Sequence, residues 1–222
     1  MVAASRQEEL LERLRQQIRR LERRPARREG FLPTGRPEVD ALLPGGGFPR
    51  GALTGLAGGP ASGKTRLALT ALREAQAEGG LAAFVDGCGE LYPPAAVDLG
   101  VDLARLLIVR PGAPARRTEA ERAPEPLPGL WAAEALLASG AFAAVAIDVS
   151  LGRLPAVRAE AALRRLRAAA EKGGAAGLWL GSADAPRVPA FLRLDLDALA
   201  RRAPGRAAGA APDGWTEGGH AA

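Results

Sequence analysis

Gly58-Gly59-Pro60-Ala61-Ser62-Gly63-Lys64-Thr65 satisfies the spacing G-x-x-x-x-G-K-[ST] in full. Glycines let the backbone curl until successive N–H groups point at one centre, which suits phosphate oxygens. On this reading Lys64 reaches the β- and γ-phosphates, and Thr65 offers its hydroxyl to Mg2+. A helix starting near Gly63 adds its positive end to the same cradle. The apolar run Leu53-Thr54-Gly55-Leu56-Ala57 reads as a strand entering the loop. Arg66-Leu67-Ala68-Leu69-Thr70-Ala71-Leu72 reads as the helix leaving it, with Leu69 and Leu72 toward a sheet. Strand, loop and helix in that order are the context the motif requires. Lys64 is one of two lysines, the other being Lys172, and arginine supplies the remaining basic charge. A composition that nearly excludes lysine keeps one where a compact ammonium is needed and arginine's fork would not substitute.

Outward from the loop, apolar runs alternate with helical patterns. Residues 81–86 and 105–110 read as buried strands, and residues 130–138 and 157–172 as helices. Strands over 177–180 and 190–196 follow. The alanine-rich run Phe142-Ala143-Ala144-Val145-Ala146-Ile147-Asp148 ends in an acid, as a second nucleotide motif does. Asp148 is expected to hold the magnesium shell from the strand next to the phosphate loop. The alternation predicts an α/β fold with a mostly parallel central sheet flanked by helices.

Three segments divide the chain: 1–28, a core over 29–200, and a flexible C-terminal tail over 201–222. Residues 5–24 have the pattern of an amphipathic helix, with Ser5 and Glu8 at capping-box spacing and Pro25 ending it. Leu11, Leu14, Ile18 and Leu21 form one narrow stripe, which must dock on the core, a neighbouring subunit or a partner. The charged linker Arg27-Arg28-Glu29-Gly30 favours the last two. Residues 111–128, rich in Pro, Ala, Glu and Arg, read as a surface loop or mobile linker. In the tail, Trp215 is a candidate interface anchor or a residue folded back on the core; His220 is given no role.

A length of 222 residues suits one well-buried α/β domain with short extensions. The single cysteine, Cys88, excludes an intramolecular disulfide and a cysteine zinc cluster. No signal peptide pattern opens the chain and no apolar stretch is long enough to cross a bilayer, so a cytoplasmic location is expected. The net charge of +5 permits nucleic-acid binding, but an arginine- and alanine-rich composition also follows from a GC-rich genome. Aromatic residues make up 4%, too few to indicate a base-stacking platform.

With both motifs in place, residues 33–196 resemble the RecA superfamily. Thr34-Gly35, Asp40-Ala41-Leu42-Leu43 and Gly45-Gly46-Gly47-Phe48-Pro49-Arg50-Gly51 resemble the approach to the RecA phosphate loop. Phe84-Val85-Asp86, Leu99-Gly100-Val101-Asp102, Ser139-Gly140-Ala141 and Leu192-Arg193-Leu194-Asp195-Leu196 resemble later segments. The short length, the N-terminal helix and the Leu-Leu-Pro-Gly-Gly-Gly-x-Pro-Arg-Gly string look most like the ImuA type, an accessory protein of SOS mutagenesis and translesion synthesis. That resemblance implies ATP or ADP with Mg2+ as cofactors. Its implied partners are an ImuB-like Y-family polymerase homologue, RecA, and indirectly an error-prone replicative-type polymerase subunit. It also implies self-association, weak or indirect DNA binding and no membrane contact.

Departures from the RecA pattern shape the functional expectation. Cys88 stands where RecA carries the glutamate that activates the attacking water, and a thiol does not replace a carboxylate there. Glu90, two residues on, is the remaining candidate base. Gly181-Ser182 stands in place of a γ-phosphate-sensing glutamine. Ala95 aligns with the aromatic that stacks on adenine, with Tyr92 close enough in sequence to substitute. No lysine follows Lys172, so trans-acting lysines have no counterpart. The segments matching the DNA-binding loops are abbreviated to residues 150–156 and 183–189. The expected function is an adaptor between RecA and an error-prone polymerase complex, with weak or absent hydrolysis. The alternatives are a DNA-dependent ATPase of recombination and repair, and an SOS-linked regulator of cell division.

Overall fold

The computed structural model describes residues 30–111, 128–151, 154–181 and 192–202. The expectations for the N-terminal stripe, the proline-rich loop, residues 183–189, Trp215 and His220 lie outside these residues.

Two short strands, β1 (Phe31–Leu32) and β2 (Phe48–Pro49), pair antiparallel ahead of the core and are bridged by a helical turn, α1 (Pro37–Asp40). The core then alternates β3 (Ala52–Ala57), α2 (Lys64–Ala77), β4 (Leu81–Asp86), α3 (Pro93–Asp98) and β5 (Leu106–Val109). It continues with α4 (Pro128–Ala138), β6 (Phe142–Asp148), α5 (Ala156–Gly173), β7 (Ala176–Gly181), β8 (Leu192–Asp195) and α6 (Leu196–Arg202). Six strands form one sheet in the order β5-β4-β6-β7-β3-β8, and every neighbouring pair is parallel. The α/β class and parallel sheet expected from the sequence are therefore present.

Period-2 alternation sorts the side chains. Ala82, Phe84, Ala144 and Ala146 face the cluster that takes Leu67, Leu69 and Leu72 of α2. Ala83, Val85, Val145 and Ile147 face the cluster built with Leu130 and Leu137 of α4 and Leu163 and Leu166 of α5. Burial on both faces explains why these strands read as continuous apolar runs. The segment before the phosphate loop docks on α2: Thr34 is fully buried, its N–H donates to Asp40 Oδ1 (2.9 Å), and its carbonyl accepts from Thr70 Oγ1 (2.7 Å).

Three local expectations are corrected. Asp148 is not on the strand next to the phosphate-loop strand: β7 lies between β6 and β3, with Ala176 and Gly177 each paired on both sides. Strand order is set by cross-strand packing, which local patterning does not encode. Arg105 closes a 3-10 turn (Leu103–Arg105) instead of opening β5, and donates to the carbonyls of Gln76 (3.0 Å) and Gly80 (2.8 Å). Leu196 starts α6 rather than ending β8. The signal is Asp195, whose Oδ1 accepts the Ala198 N–H (2.9 Å) as an N-cap does.

Among the described glycines, the last residue of α5 makes the tightest backbone approach. A Cβ on Gly173 would run into the carbonyl of Leu137 at the end of α4. Gly173→Ala is therefore expected to lower Tm by about 5 °C through forced separation of the two helix ends. Scanning calorimetry checks this, and an unchanged Tm would show that the ends part without cost.

Candidate functional site

Parallel sheets meet ligands beyond the carboxyl ends of their strands. At that edge β3 runs into residues 58–65, β4 ends at Asp86, β6 at Asp148 and β7 at Gly181. A cavity of about 670 Å3 opens there. Its phosphate-loop wall is Gly58, Gly59, Pro60 and Lys64, and its acidic wall is Cys88, Glu90 and Asp148. The far wall is largely apolar, with Val149, Leu151, Leu154, Ala159, Trp179 and Leu180.

The loop has the local features of an anion cradle. Gly63 adopts φ 87° as the N-cap of α2, and no side chain caps the helix start. The amides of its first turn are thus left in the state that receives an anion. Ser62 Oγ is buried without a hydrogen-bond partner, and a Cβ on Gly58 would collide with that side chain. Ala61 sits at φ 59°, a left-handed conformation costing about 1–2 kcal/mol for a residue with a Cβ. Such strain is found where a loop is shaped for a ligand. Lys64 Nζ turns back on the loop, donating to the carbonyls of Gly58 (3.4 Å) and Gly59 (3.3 Å). These long bonds leave the ammonium ready to exchange carbonyls for phosphate oxygens. An uncapped helix start, an orphaned hydroxyl and a loosely held cation fit a phosphate group. Thr65 lies half-buried in the first turn of α2 and Arg66 is exposed; neither borders the cavity.

Opposite the loop, Asp86 and Asp148 are register partners at the ends of adjacent strands, so two carboxylates stand side by side. Asp86 is fully buried and satisfied: Oδ2 accepts from Arg110 Nε (2.8 Å), and Oδ1 from the N–H groups of Glu90 (2.9 Å) and Leu91 (3.3 Å). Arg110 also donates to the Leu91 carbonyl (2.7 Å). This pair pins the turn that carries Cys88 and Glu90. Burial raises the Asp148 carboxyl above its ordinary value, and Glu90 and Asp86 push the same way; the Cys88 S–H and Lys64 pull it back. Among the described residues no cluster of three His, Cys, Asp or Glu forms a metal site by itself.

Cys88 is exposed as a residue, yet partial burial of its sulfur raises the thiol to about 11, helped by the neighbouring Asp148 carboxylate. At neutral pH it is a protonated donor. Alkylation by iodoacetamide is expected to run about tenfold slower than for an unperturbed cysteine, because the smaller thiolate fraction outweighs its higher nucleophilicity. The chain has one cysteine, so intact-mass kinetics read the site directly. A rate equal to that of a free thiol would contradict the upward shift that burial and Asp148 impose.

Of the residues expected from sequence, Gly58, Gly59, Pro60, Lys64, Glu90 and Asp148 meet around one cavity, joined by Cys88 and Gly181. Tyr92 does not join them: it stands at the N-cap position of α3, without a side-chain capping bond, and is 67% exposed. Sequence reading missed Arg110 as the partner of Asp86, Trp179 as a cavity wall, and Asp197. The last reaches the loop from α6, its Oδ2 accepting the Gly59 N–H at 2.9 Å. Among the described residues no helix is long and apolar enough to cross a membrane.

Similarity to known proteins covers part of the chain. The RecA protein of Thermotoga neapolitana is 49% identical over 80 residues, covering 36% of this chain and 23% of that protein. The RecA protein of Thermus aquaticus is 44% identical over 94 residues, covering 42% and 28%. That of Symbiobacterium thermophilum is 48% identical over 80 residues, covering 36% and 23%. The aligned stretch thus spans about a quarter of each relative's length. The family described as the RecA N-terminal domain matches residues 13–167, well over half of the sequence. The chain belongs to the RecA N-terminal domain family.

Proposed function

We propose that the chain is a RecA-related adaptor that binds a nucleoside triphosphate with Mg2+ and turns it over slowly or not at all. The amides of residues 58–65 and the Lys64 ammonium hold the phosphates, and Thr65 and Asp148 serve the metal. The bound Mg2+ supplies neutralisation of phosphate charge.

The observation that carries the reading is that Cys88, and no carboxylate, stands at this position in the cavity wall that Lys64 and Asp148 also line. Activating a water requires a group that accepts its proton near neutral pH. A thiol raised to about 11 by burial and by the neighbouring Asp148 carboxylate stays protonated and does not accept one. Beyond it Leu151, Leu154 and Trp179 present carbon to the cavity, a surface that excludes water without orienting it.

The cellular role proposed is an accessory one in DNA-damage-induced mutagenesis and translesion synthesis. There the protein links RecA to an ImuB-like polymerase homologue and, through it, to an error-prone polymerase. Short connections support this. Only residues 149–155 separate β6 from α5, and residues 182–191 separate β7 from β8, leaving little chain to grip single-stranded DNA. The test is purified full-length protein assayed for ATP binding and turnover with and without single-stranded DNA. Binding with slow, DNA-independent turnover is expected; brisk turnover stimulated by DNA would overturn the reading.

A second reading, a DNA-dependent ATPase of recombination, draws on Glu90, which lines the cavity with Lys64 and Asp148. DNA-stimulated turnover abolished by Glu90→Ala would establish it.

A further inference from the structure

The peptide group joining Gly58 to Gly59 is gripped from both sides. Its carbonyl accepts from Lys64 Nζ at 3.4 Å, and its N–H donates to Asp197 Oδ2 at 2.9 Å. A cation at the oxygen and an anion at the N–H polarise the amide in the same sense, so each bond strengthens the other. A backbone N–H given to a carboxylate is among the stronger hydrogen bonds of a folded chain. Asp197 is available for this task because Asp195 caps α6, accepting the Ala198 N–H. The carboxylate lies against both glycines, at ordinary van der Waals distance: a Cβ added to Gly59 would stand 3.7 Å from Asp197 Oδ2, and one on Gly58 3.6 Å from its Oδ1.

We infer that Asp197 is a positioning residue for the phosphate loop. By fixing the plane of a glycine–glycine peptide, which otherwise has wide rotational freedom, it turns the Gly58 carbonyl to Lys64. That carbonyl in turn aims the ammonium across the loop's mouth, where nucleotide phosphates are met. The inference rests on the nucleotide reading above. It assigns the C-terminal helix a part in that site, through a contact between residues 138 positions apart.

Two full-length variants, Asp197→Ala and Asp197→Asn, test it through two measurements. The first is amide exchange at Gly59 in nucleotide-free protein, and the second is affinity for Mg-ATP. Asp197→Ala is expected to speed Gly59 exchange and weaken Mg-ATP binding, each by about tenfold, the loss of one charge-assisted hydrogen bond. Asp197→Asn keeps an acceptor oxygen and should stay within about threefold of the parent in both, a rescue that general loosening of α6 would not produce. Mg-ATP binding by Asp197→Ala as tight as the parent's overturns the inference, and tighter binding shows that the carboxylate opposes the phosphates instead. Should the parent itself bind no nucleotide, the nucleotide reading fails. The exchange measurement then still decides whether Asp197 holds the peptide: faster in Asp197→Ala supports it, unchanged refutes it.

Discussion

Lys64→Ala is expected to weaken ATP binding about a hundredfold, equivalent to about 2.7 kcal/mol. The ammonium is the cation of the loop wall, and its described partners are two carbonyl oxygens at 3.3 and 3.4 Å. Those bonds are long, so little is lost when Lys64 turns to phosphate and much is lost when no ammonium is present to turn. The side chain is half-buried at the start of α2 and belongs to neither apolar cluster, so stability should hardly change. Lys64→Arg should rescue only in part, since a planar fork does not fit where a compact ammonium folds onto the loop. Isothermal titration beside a thermal melt separates the two effects. A variant that melts like the parent yet binds ATP equally well would remove Lys64 from the site. Capture of a protein partner should survive Lys64→Ala and be lost on joint replacement of Leu14 and Ile18 by aspartate, because loop and stripe are separate segments.

Cys88→Glu is expected to raise ATP turnover about a hundredfold, the scale on which one preorganised polar group acts in a transition state. The position borders the same cavity as Lys64, and its backbone is held by the turn that Asp86 and Arg110 pin. A carboxylate there can accept a proton from water; the present thiol cannot at neutral pH. The new charge joins Glu90 and Asp148, and burial and its neighbours already push the latter upward. Mg2+ is therefore needed to offset the repulsion, and the gain should vanish without it. Cys88→Ala should show no gain. Unchanged turnover in Cys88→Glu with ATP still bound would shift the cause of slow hydrolysis from Cys88 to the apolar wall of Leu151, Leu154 and Trp179.

Whatever is written in local order was legible. The motif over residues 58–65 named the loop, and the runs ending in Asp86 and Asp148 marked two strands, because turn chemistry and burial on both faces act within a few residues. The phosphate-loop helix likewise follows from its own residues, with Leu67, Leu69 and Leu72 on its buried side. Cys88 was recognisable as a departure from the RecA pattern, but its partial burial beside Asp148 and the resulting rise of the thiol were not.

What the tertiary structure alone decided is adjacency. It set β7 between the strands of Asp148 and the phosphate loop, and it brought Arg110 to Asp86 and Asp197 to Gly59. It also left Tyr92 exposed and apart from the cavity. Each of these depends on which strands lie side by side, and that order is chosen by the packing of whole faces across the sheet. Residue spacing carries the period of a helix or strand; only the folded chain makes neighbours of groups that the spacing keeps far apart.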